Sequence, residues 1–445
     1  MTKPVDVGAR LDGGEWTSYQ KWLVLGVAST IVVDGVDNQL LPNAVPALMA
    51  EWGLPRSAFA NILAAGPFGM VVGSLAGGIV GDRVGRRTAL LGSVIIFGLL
   101  TLLVSFAESL EVLVALRFLA GVGLGGAMPN AAALTAEYVP ARHRSLAVTL
   151  TIVCIPLGGT LAALLAGWIL PVGGWRALFV VGGLVPIVWA LLLWRTLPES
   201  PRYLATRRPR WGELAALLAR MGHHVPPDAE FIAAASAGST ATGGSVRALF
   251  APALALDTVG LFGAFFFCLM ANYIGFQLIP TVVGGAGFPP LVGTNANAAF
   301  NFGGVAGAVI GGFAIPRLGS RVTMLGMSAL AVVSALVMAA TPLTPSDGTV
   351  WMLVMFAVTG GLLNAVVTTT YALAAHVYPV AIRAAGVGMA VAFGRLGNVL
   401  AVYVGNAALD LGGAPGYFSS WAITMTLVLT SLALVRRHIA PVPRL

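Results

Sequence analysis

Apolar residues run along this chain in long blocks that are empty of charge. No Asp, Glu, Lys or Arg occurs between residues 258 and 316, and further charge-free runs cover 57–81, 88–107, 118–136, 145–175, 322–346, 348–382 and 411–435. A membrane-crossing helix needs about 20 apolar residues, so each run holds one or two spans. Turn signals divide the longer runs at Pro171-Val172-Gly173-Gly174, Gly284 to Pro290, Pro342 to Gly348 and Gly412 to Gly416. The pattern predicts twelve helices, at roughly 21–50, 57–80, 88–107, 110–136, 145–170, 175–195, 254–283, 294–316, 322–341, 349–376, 384–409 and 418–435. A membrane β-barrel would show short alternating segments instead. The expected fold class is an all-α membrane protein.

Composition agrees. Of 445 residues, 58% are hydrophobic and only 9% charged, with a mean hydropathy of +0.89, whereas a soluble domain carries roughly 25% charged residues. The charges that remain are unevenly placed. Lys3, Arg10, Lys21, Arg83, Arg86, Arg87, Arg142, Arg144, Arg317, Arg321, Arg383, Arg436, Arg437, Arg444 and the seven arginines from Arg195 to Arg247 fall on one side, and only Arg56 and Arg176 on the other. Cytoplasmic loops carry the Lys/Arg excess, so both termini are expected in the cytoplasm of a multi-pass plasma (bacterial inner) membrane protein. The net charge of +8 then points to anionic lipid; no nucleic-acid module is visible. The first twenty residues mix Lys3, Asp6, Arg10, Asp12 and Glu15, and no removable signal peptide is expected. Cys154 and Cys268 lie in apolar spans without metal-ligand or disulfide spacing, so a packing role is expected.

The one long polar interruption, residues 196–250, divides the chain into six and six spans. It holds Arg202, Arg207, Arg208 and Arg210, a short surface helix expected over Trp211 to Met221, and a Ser/Gly/Thr/Ala-rich tail from Ala233 to Ser245. The expected domains are therefore 1–195, a central loop at 196–250, and 251–445. An internal repeat accompanies this division. Glu137-x-x-Pro140-x-x-x-Arg144 recurs as His376-x-x-Pro379-x-x-x-Arg383, and Gly81-Asp82-Arg83-Val84-Gly85-Arg86-Arg87 as Ile315-Pro316-Arg317-Leu318-Gly319-Ser320-Arg321, with the acid lost both times. Duplicated six-helix halves with substrate near the midplane describe many secondary carriers. No phosphate loop is present, so a gradient is the expected energy source, and no cofactor is expected.

Gly77-Gly78-Ile79-Val80-Gly81-Asp82-Arg83-Val84-Gly85-Arg86-Arg87 resembles the loop 2–3 signature of the major facilitator superfamily, and Pro198-Glu199-Ser200-Pro201-Arg202 resembles a motif shared by its sugar, organic-ion and aromatic-acid carriers. Asp34-Gly35-Val36-Asp37 and the stretch from Arg117 to Asn130 are similar to spans 1 and 4 of the aromatic acid:proton symporter family; Arg383 to Gly388 with Gly394-Arg395-Leu396-Gly397 is similar to its span 11. The resemblance covers nearly the whole chain and implies a twelve-helix, two-half carrier. Pro316 and His376 depart from it where Asp and Glu are usual. The resemblance also implies a cytoplasmic charge network that holds the inner gate closed, here Asp82, Arg83, Arg86, Arg87, Glu137, Arg144 and Arg383 with His376; topology determinants, and a solvated or capping His376, are the plainer reading.

Ionisable residues inside the bilayer are costly and usually functional. Asp34 lies about 20 Å along the first span, with Asp37 three residues on. Arg117 sits at a depth where either could meet it. Asp34, Asp37 and Arg117 are the expected proton-coupling residues, against a static ion pair that fixes packing. Gly35 between the acids offers a close approach or a kink, and Gly121, Gly123, Gly125 and Gly126 would let span 4 pack tightly. Arg395 lies about 18 Å beyond Arg383, with no acid near it in sequence; its fork suits a substrate carboxylate, the alternatives being backbone carbonyls or Asp34 across the halves. Asn130, Tyr273, Phe276, Gln277, Asn297, Asn301, Asn364, Thr368 and Tyr371 at helical spacing would complete a pocket, although such residues also bond neighbouring helices.

These residues point to proton-coupled import of a small aromatic carboxylate by alternating access, in a monomer that is not an enzyme. Direction rests on the resemblance. A cation antiporter and a sugar carrier are the alternatives; a receptor or a membrane enzyme finds little support, since His143, His223, His224, His376 and His438 are scattered.

Overall fold

The computed structural model describes residues 5–226, 229–232, 246–345, 348–379 and 382–441. The expected small-residue tail at 233–245 and the terminal Lys3 and Arg444 lie outside the described residues. The chain runs through β1 (Val5–Asp6), α1 (Val7–Asp12), α2 (Ser18–Trp52), α3 (Ala60–Val84), α4 (Arg86–Val104), α5 (Leu110–Tyr138), α6 (Ala141–Thr196), α7 (Pro201–Ala205), α8 (Trp211–Arg220), β2 (Phe231–Ile232), α9 (Val246–Leu249), α10 (Ala255–Gly285), α11 (Pro290–Leu318), α12 (Ser320–Ala340), α13 (Thr349–Val377) and α14 (Arg383–Leu434).

Ten of these helices are long and apolar enough to cross a membrane. Two of the ten are far too long for one crossing: α6 has 56 residues and α14 has 52, about 80 Å of helix against a bilayer core of ~30 Å. Each folds back sharply at a glycine, Gly174 with φ 64° and Gly413 with φ 58°. That left-handed backbone is open to glycine at little cost. Both reversals fall inside the turn signals read from the sequence, so α6 and α14 each supply two spans and the molecule crosses twelve times. An even number of crossings puts the segments before α2 and after α14 on one face, here the terminal face.

The two halves are built alike. In the first, α2 packs on α6 and α3 on α5; in the second, α10 packs on α14 and α11 on α13. Glycines make each contact. A Cβ at Gly73 would run into the carbonyl of Val122, and one at Gly307 into that of Gly361. Gly35 faces the carbonyl of Ile155, so it serves close approach. Gly121 and Gly125 of α5 likewise admit the backbone of α3 at Gly66 and Met70. Lipid tails give little hydrophobic drive between helices, and such close backbone approach supplies the attraction instead.

Two apolar cores result. One gathers Leu23, Val27, Phe97, Leu124 and Tyr138 with Leu204, Leu214 and Leu218 near the terminal face of the first half. The other runs unbroken through the second half and into the opposite end of the first, through Leu41, Leu48, Phe59, Trp175 and Phe179. The halves are thus packed together away from the terminal face. The central segment begins with α7 and α8, the latter matching the expected surface helix and burying Leu214, Leu217 and Leu218. Residues 5–6 pair with it in a small parallel sheet, Val5 opposite Phe231 and Asp6 opposite Ile232, a contact across more than 200 residues that no local pattern announces.

Candidate functional site

Between the halves lies a cleft of about 950 Å³, counting its opening. Asp34, Asn38, Met70 and Ile155 line it from the first half; Asn272, Tyr273, Phe276, Asn301, Asn364, Thr368, Tyr371, Arg395 and Asn398 line it from the second. Of the residues expected from the sequence to hold substrate, Arg395, Tyr273, Phe276, Asn301, Asn364 and Tyr371 meet here. The periodicity explains why: Tyr273 and Phe276, Asn364 and Tyr371, and Arg395 and Asn398 recur at helical spacing on inward faces.

Arg395 donates through Nη1 to the backbone oxygen of Met70 at 2.9 Å, across the halves. Among the described residues it makes no ion pair within 4 Å. Asp34 faces the same cleft, 5% exposed, and its Oδ1 is buried without a hydrogen-bond partner. The ring of Tyr273 leans on Phe276 with centroids 4.6 Å apart, and its hydroxyl accepts from Asn38 at 3.0 Å. Tyr371 meets Phe265 edge-on at 4.9 Å. Asn364 shares its amide with Asn272 and with the carbonyl of Gly360. The cleft thus presents a cation, a carboxyl with an unpartnered oxygen and aromatic rings to one space.

Three expectations need correction. Asp37 does not share the site of Asp34: it is fully buried, does not line the cleft, and points to partners within the first half. There Thr101 donates to its carboxylate, and Arg117 lies 3.5 Å from Oδ2 and donates to its backbone oxygen at 3.2 Å. Arg117 also stacks 5.9 Å from the ring of Phe179. The pair thus joins α2, α4, α5 and α6 away from the cleft. Asn130 does not reach the cleft either, because its amide donates to the carbonyls of Gly77 and Gly126, both at 2.8 Å, tying α3 to α5. Gln277, one turn beyond Tyr273, lines a small side pocket with Arg117 instead.

Asn301 borders the cleft but is already engaged. It exchanges two hydrogen bonds with Gln39, at 2.7 and 2.8 Å, while Asn297 donates to Asn43 at 3.3 Å. Further out, Tyr403 donates to Asn61 at 3.0 Å and Arg56 pairs with Asp410. These cross-half bonds close the side opposite the terminal face. Asn38, Gln39, Asn43 and Asn398 were missed in the sequence reading. Asn38 stands four residues after Asp34 and Asn398 three after Arg395, so the same-face rule would have found both; Gln39 and Asn43 had no such anchor.

The expected gating residues sit at the terminal face. Arg86 bonds Asp82 at 2.9 Å and Glu137 at 2.8 Å, Ser200 donates to Glu137, and Arg144 pairs with Asp12. Arg87 donates from its backbone to Glu199 at 2.9 Å, as do Thr88 and Ser200, so Glu199 caps the start of α4. The Pro198–Arg202 motif is in this way stitched to the loop between α3 and α4. Arg83 and His376 are exposed, and Arg383 donates to the carbonyl of Tyr378 at 3.2 Å. Each of these bonds stays within one half or ties the central segment to the first half, and among the described residues no side-chain bond joins the halves on this side. The cleft is open towards the terminal face.

Residues 27–368 match the family model described as Major Facilitator Superfamily. The chain is 33% identical to a gallate transporter of Pseudomonas putida, over 94% of this chain and 92% of the relative. It is 31% identical to the 4-hydroxybenzoate transporter PcaK of Acinetobacter baylyi, over 95% and 90%. The xylose transporter XylE of E. coli, solved in a partially occluded inward-open conformation, superposes with a TM-score of 0.69 at 17% identity, covering 93% of this chain and 97% of that one, which speaks for the fold. Twelve spans in two like halves, the Gly81–Arg87 signature and these matches agree: the chain belongs to the major facilitator superfamily.

Proposed function

We propose that this protein is a secondary active carrier that imports a small aromatic carboxylate together with a proton. It belongs to a family of transporters, not enzymes. The observation that carries the reading is the cleft itself, where Arg395 and Asp34 face one space walled by Tyr273, Phe276 and Tyr371. Arg395 spends one N–H on Met70 and keeps the rest of its fork, which suits a planar carboxylate. The aromatic walls receive the ring. Asn398, whose Oδ1 is buried without a partner, accepts from a ring hydroxyl. The names of the relatives, gallate and 4-hydroxybenzoate transporters, support this substrate class.

Charge balance supplies the coupling. With the cleft empty, Arg395 and Asp34 offset one another. Once a substrate carboxylate claims Arg395, two negative charges share a poorly solvated space with one positive, and a proton on Asp34 restores the balance. The halves, 1–195 and 251–445 joined by 196–250, then rock about the loaded site. Both termini are in the cytoplasm in this reading, and the carrier works as a monomer in the plasma membrane. A central arginine disfavours the cation alternative.

The test is uptake of labelled 4-hydroxybenzoate, gallate and benzoate into proteoliposomes, with and without an inward proton gradient, beside glucose and a quaternary amine. Gradient-dependent accumulation of an acid is expected, lost on Arg395→Ala. Movement of the sugar or amine in place of the acids would overturn the reading.

A further inference from the structure

A second pair of cavities lies away from the transport cleft, on the outer wall of the first half. The first is an apolar groove of about 900 Å³, counting the open space beside it, between the start of α2 and the end of α6, walled by Trp22, Leu25, Trp189 and Leu193. Its walls face the bilayer: Trp22 is 70% and Leu25 55% exposed. Gly26 leaves the floor low, and the bond from Trp189 to Ser29, 2.9 Å, crosses within it. The second cavity, about 650 Å³ with its opening, adjoins it towards the terminal face and holds Arg87, Arg195 and Arg220. Tyr19, Thr196 and Leu197 line both, so the two are continuous.

The arginines of the second cavity are short of anions. Among the described residues, Arg195 and Arg220 form no ion pair, and Arg87 is engaged by carbonyl and ring contacts to Trp194 while its Nε is buried without a partner. The one carboxylate there, Glu213, is held by Arg210 through two bonds of 2.9 and 3.0 Å. An apolar groove beside the exposed Trp22 and Leu25 that continues to guanidinium groups without an ion pair among the described residues matches one kind of ligand. The geometry points to a binding site for an anionic phospholipid of the terminal-face leaflet, one acyl chain in the groove and the phosphate at Arg195, Arg220 and Arg87. The site is separate from the transport cleft and stands whatever the carrier moves. By holding the ends of α2 and α6 together, the lipid would tie a mobile half to its leaflet.

Native mass spectrometry of the detergent-purified protein, titrated with phosphatidylglycerol or phosphatidylcholine, tests this. Phosphatidylglycerol is expected to be retained at least several-fold more than phosphatidylcholine. The double variant Arg195→Gln/Arg220→Gln removes surface charge only and is expected to abolish that preference. Gly26→Leu, whose new Cβ would meet Leu193 and Leu197 at ordinary contact distances of 3.6 and 3.7 Å, fills the groove and is expected to lower phosphatidylglycerol retention with the arginines intact. Equal retention of the two lipids by the native protein, or an unchanged preference in the double variant, would overturn the site. So would full displacement of the lipid by glycerol 3-phosphate, which would mark a soluble-anion site instead.

Discussion

At the scale of single residues, two aspartates of one motif have different surroundings. Asp34 stands in the cleft with an unpartnered oxygen, whereas Asp37 is locked to Thr101 and Arg117. Asp34→Asn is therefore expected to fold normally, to keep substrate exchange in the absence of a gradient, and to lose proton-driven accumulation by an order of magnitude or more. Asp37→Asn strands the buried Arg117, and breaking a buried pair costs about 3–5 kcal/mol. Its melting temperature in detergent should fall well below that of the native protein, with the double variant Asp37→Asn/Arg117→Gln partly restoring it. If Asp34→Asn were the unstable variant and Asp37→Asn the uncoupled one, the assignment would be reversed. Both acids were visible in the sequence as charges in an apolar run. Which of them met Arg117 was not, because a helical wheel gives angles within one helix and leaves its neighbours unnamed.

Among the elements, glycine has two distinct uses, and substitution separates them. Gly73 lies where α3 touches the backbone of α5, and a Cβ would overlap the carbonyl of Val122. Gly174 has nothing within 4 Å of its would-be Cβ, but its φ of 64° is unfavourable for other residues, at a cost of roughly 1–2 kcal/mol. Gly73→Ala should consequently reduce the yield of folded protein sharply, while Gly174→Ala should lower the melting temperature modestly and leave transport in place. Size-exclusion profiles and thermal melts of the two variants would distinguish these outcomes; similar losses in both would contradict the packing account. Turn glycines were legible as clusters with proline. The packing glycines of α5 were legible as a stripe, but the α3 residues they meet, about 50 residues away, were not.

For the whole molecule, the asymmetry of the bonds between halves decides the state. Gln39–Asn301, Asn43–Asn297, Asn61–Tyr403 and Arg56–Asp410 all lie on the side opposite the terminal face, and the apolar core is continuous there. Transport requires that this seal break while the terminal face closes. Gln39→Ala removes both bonds to Asn301 and leaves its amide short of partners, worth about 1–3 kcal/mol against the observed state. That corresponds to a population shift of about fivefold to more than a hundredfold towards the opposite opening, at 1.4 kcal/mol per factor of ten. Spin labels across the terminal face would come closer in the variant. An unchanged distance distribution would show that the amide pair does not gate.

The sequence by itself determined the number of spans, their approximate limits, the six-and-six division and the inward residues of α10, α13 and α14. These follow from burial and periodicity, which act within one helix and are written locally. Tertiary structure alone decided that Asp37 meets Arg117 and Asp34 faces the cleft, that Asn130 and Gln277 turn elsewhere, that Gln39 meets Asn301, and that residues 5–6 pair with 231–232. Those choices depend on which helix faces which across hundreds of residues. Such pairings are set by the summed packing of glycine stripes, amides and charges, and no single stretch of sequence contains that sum.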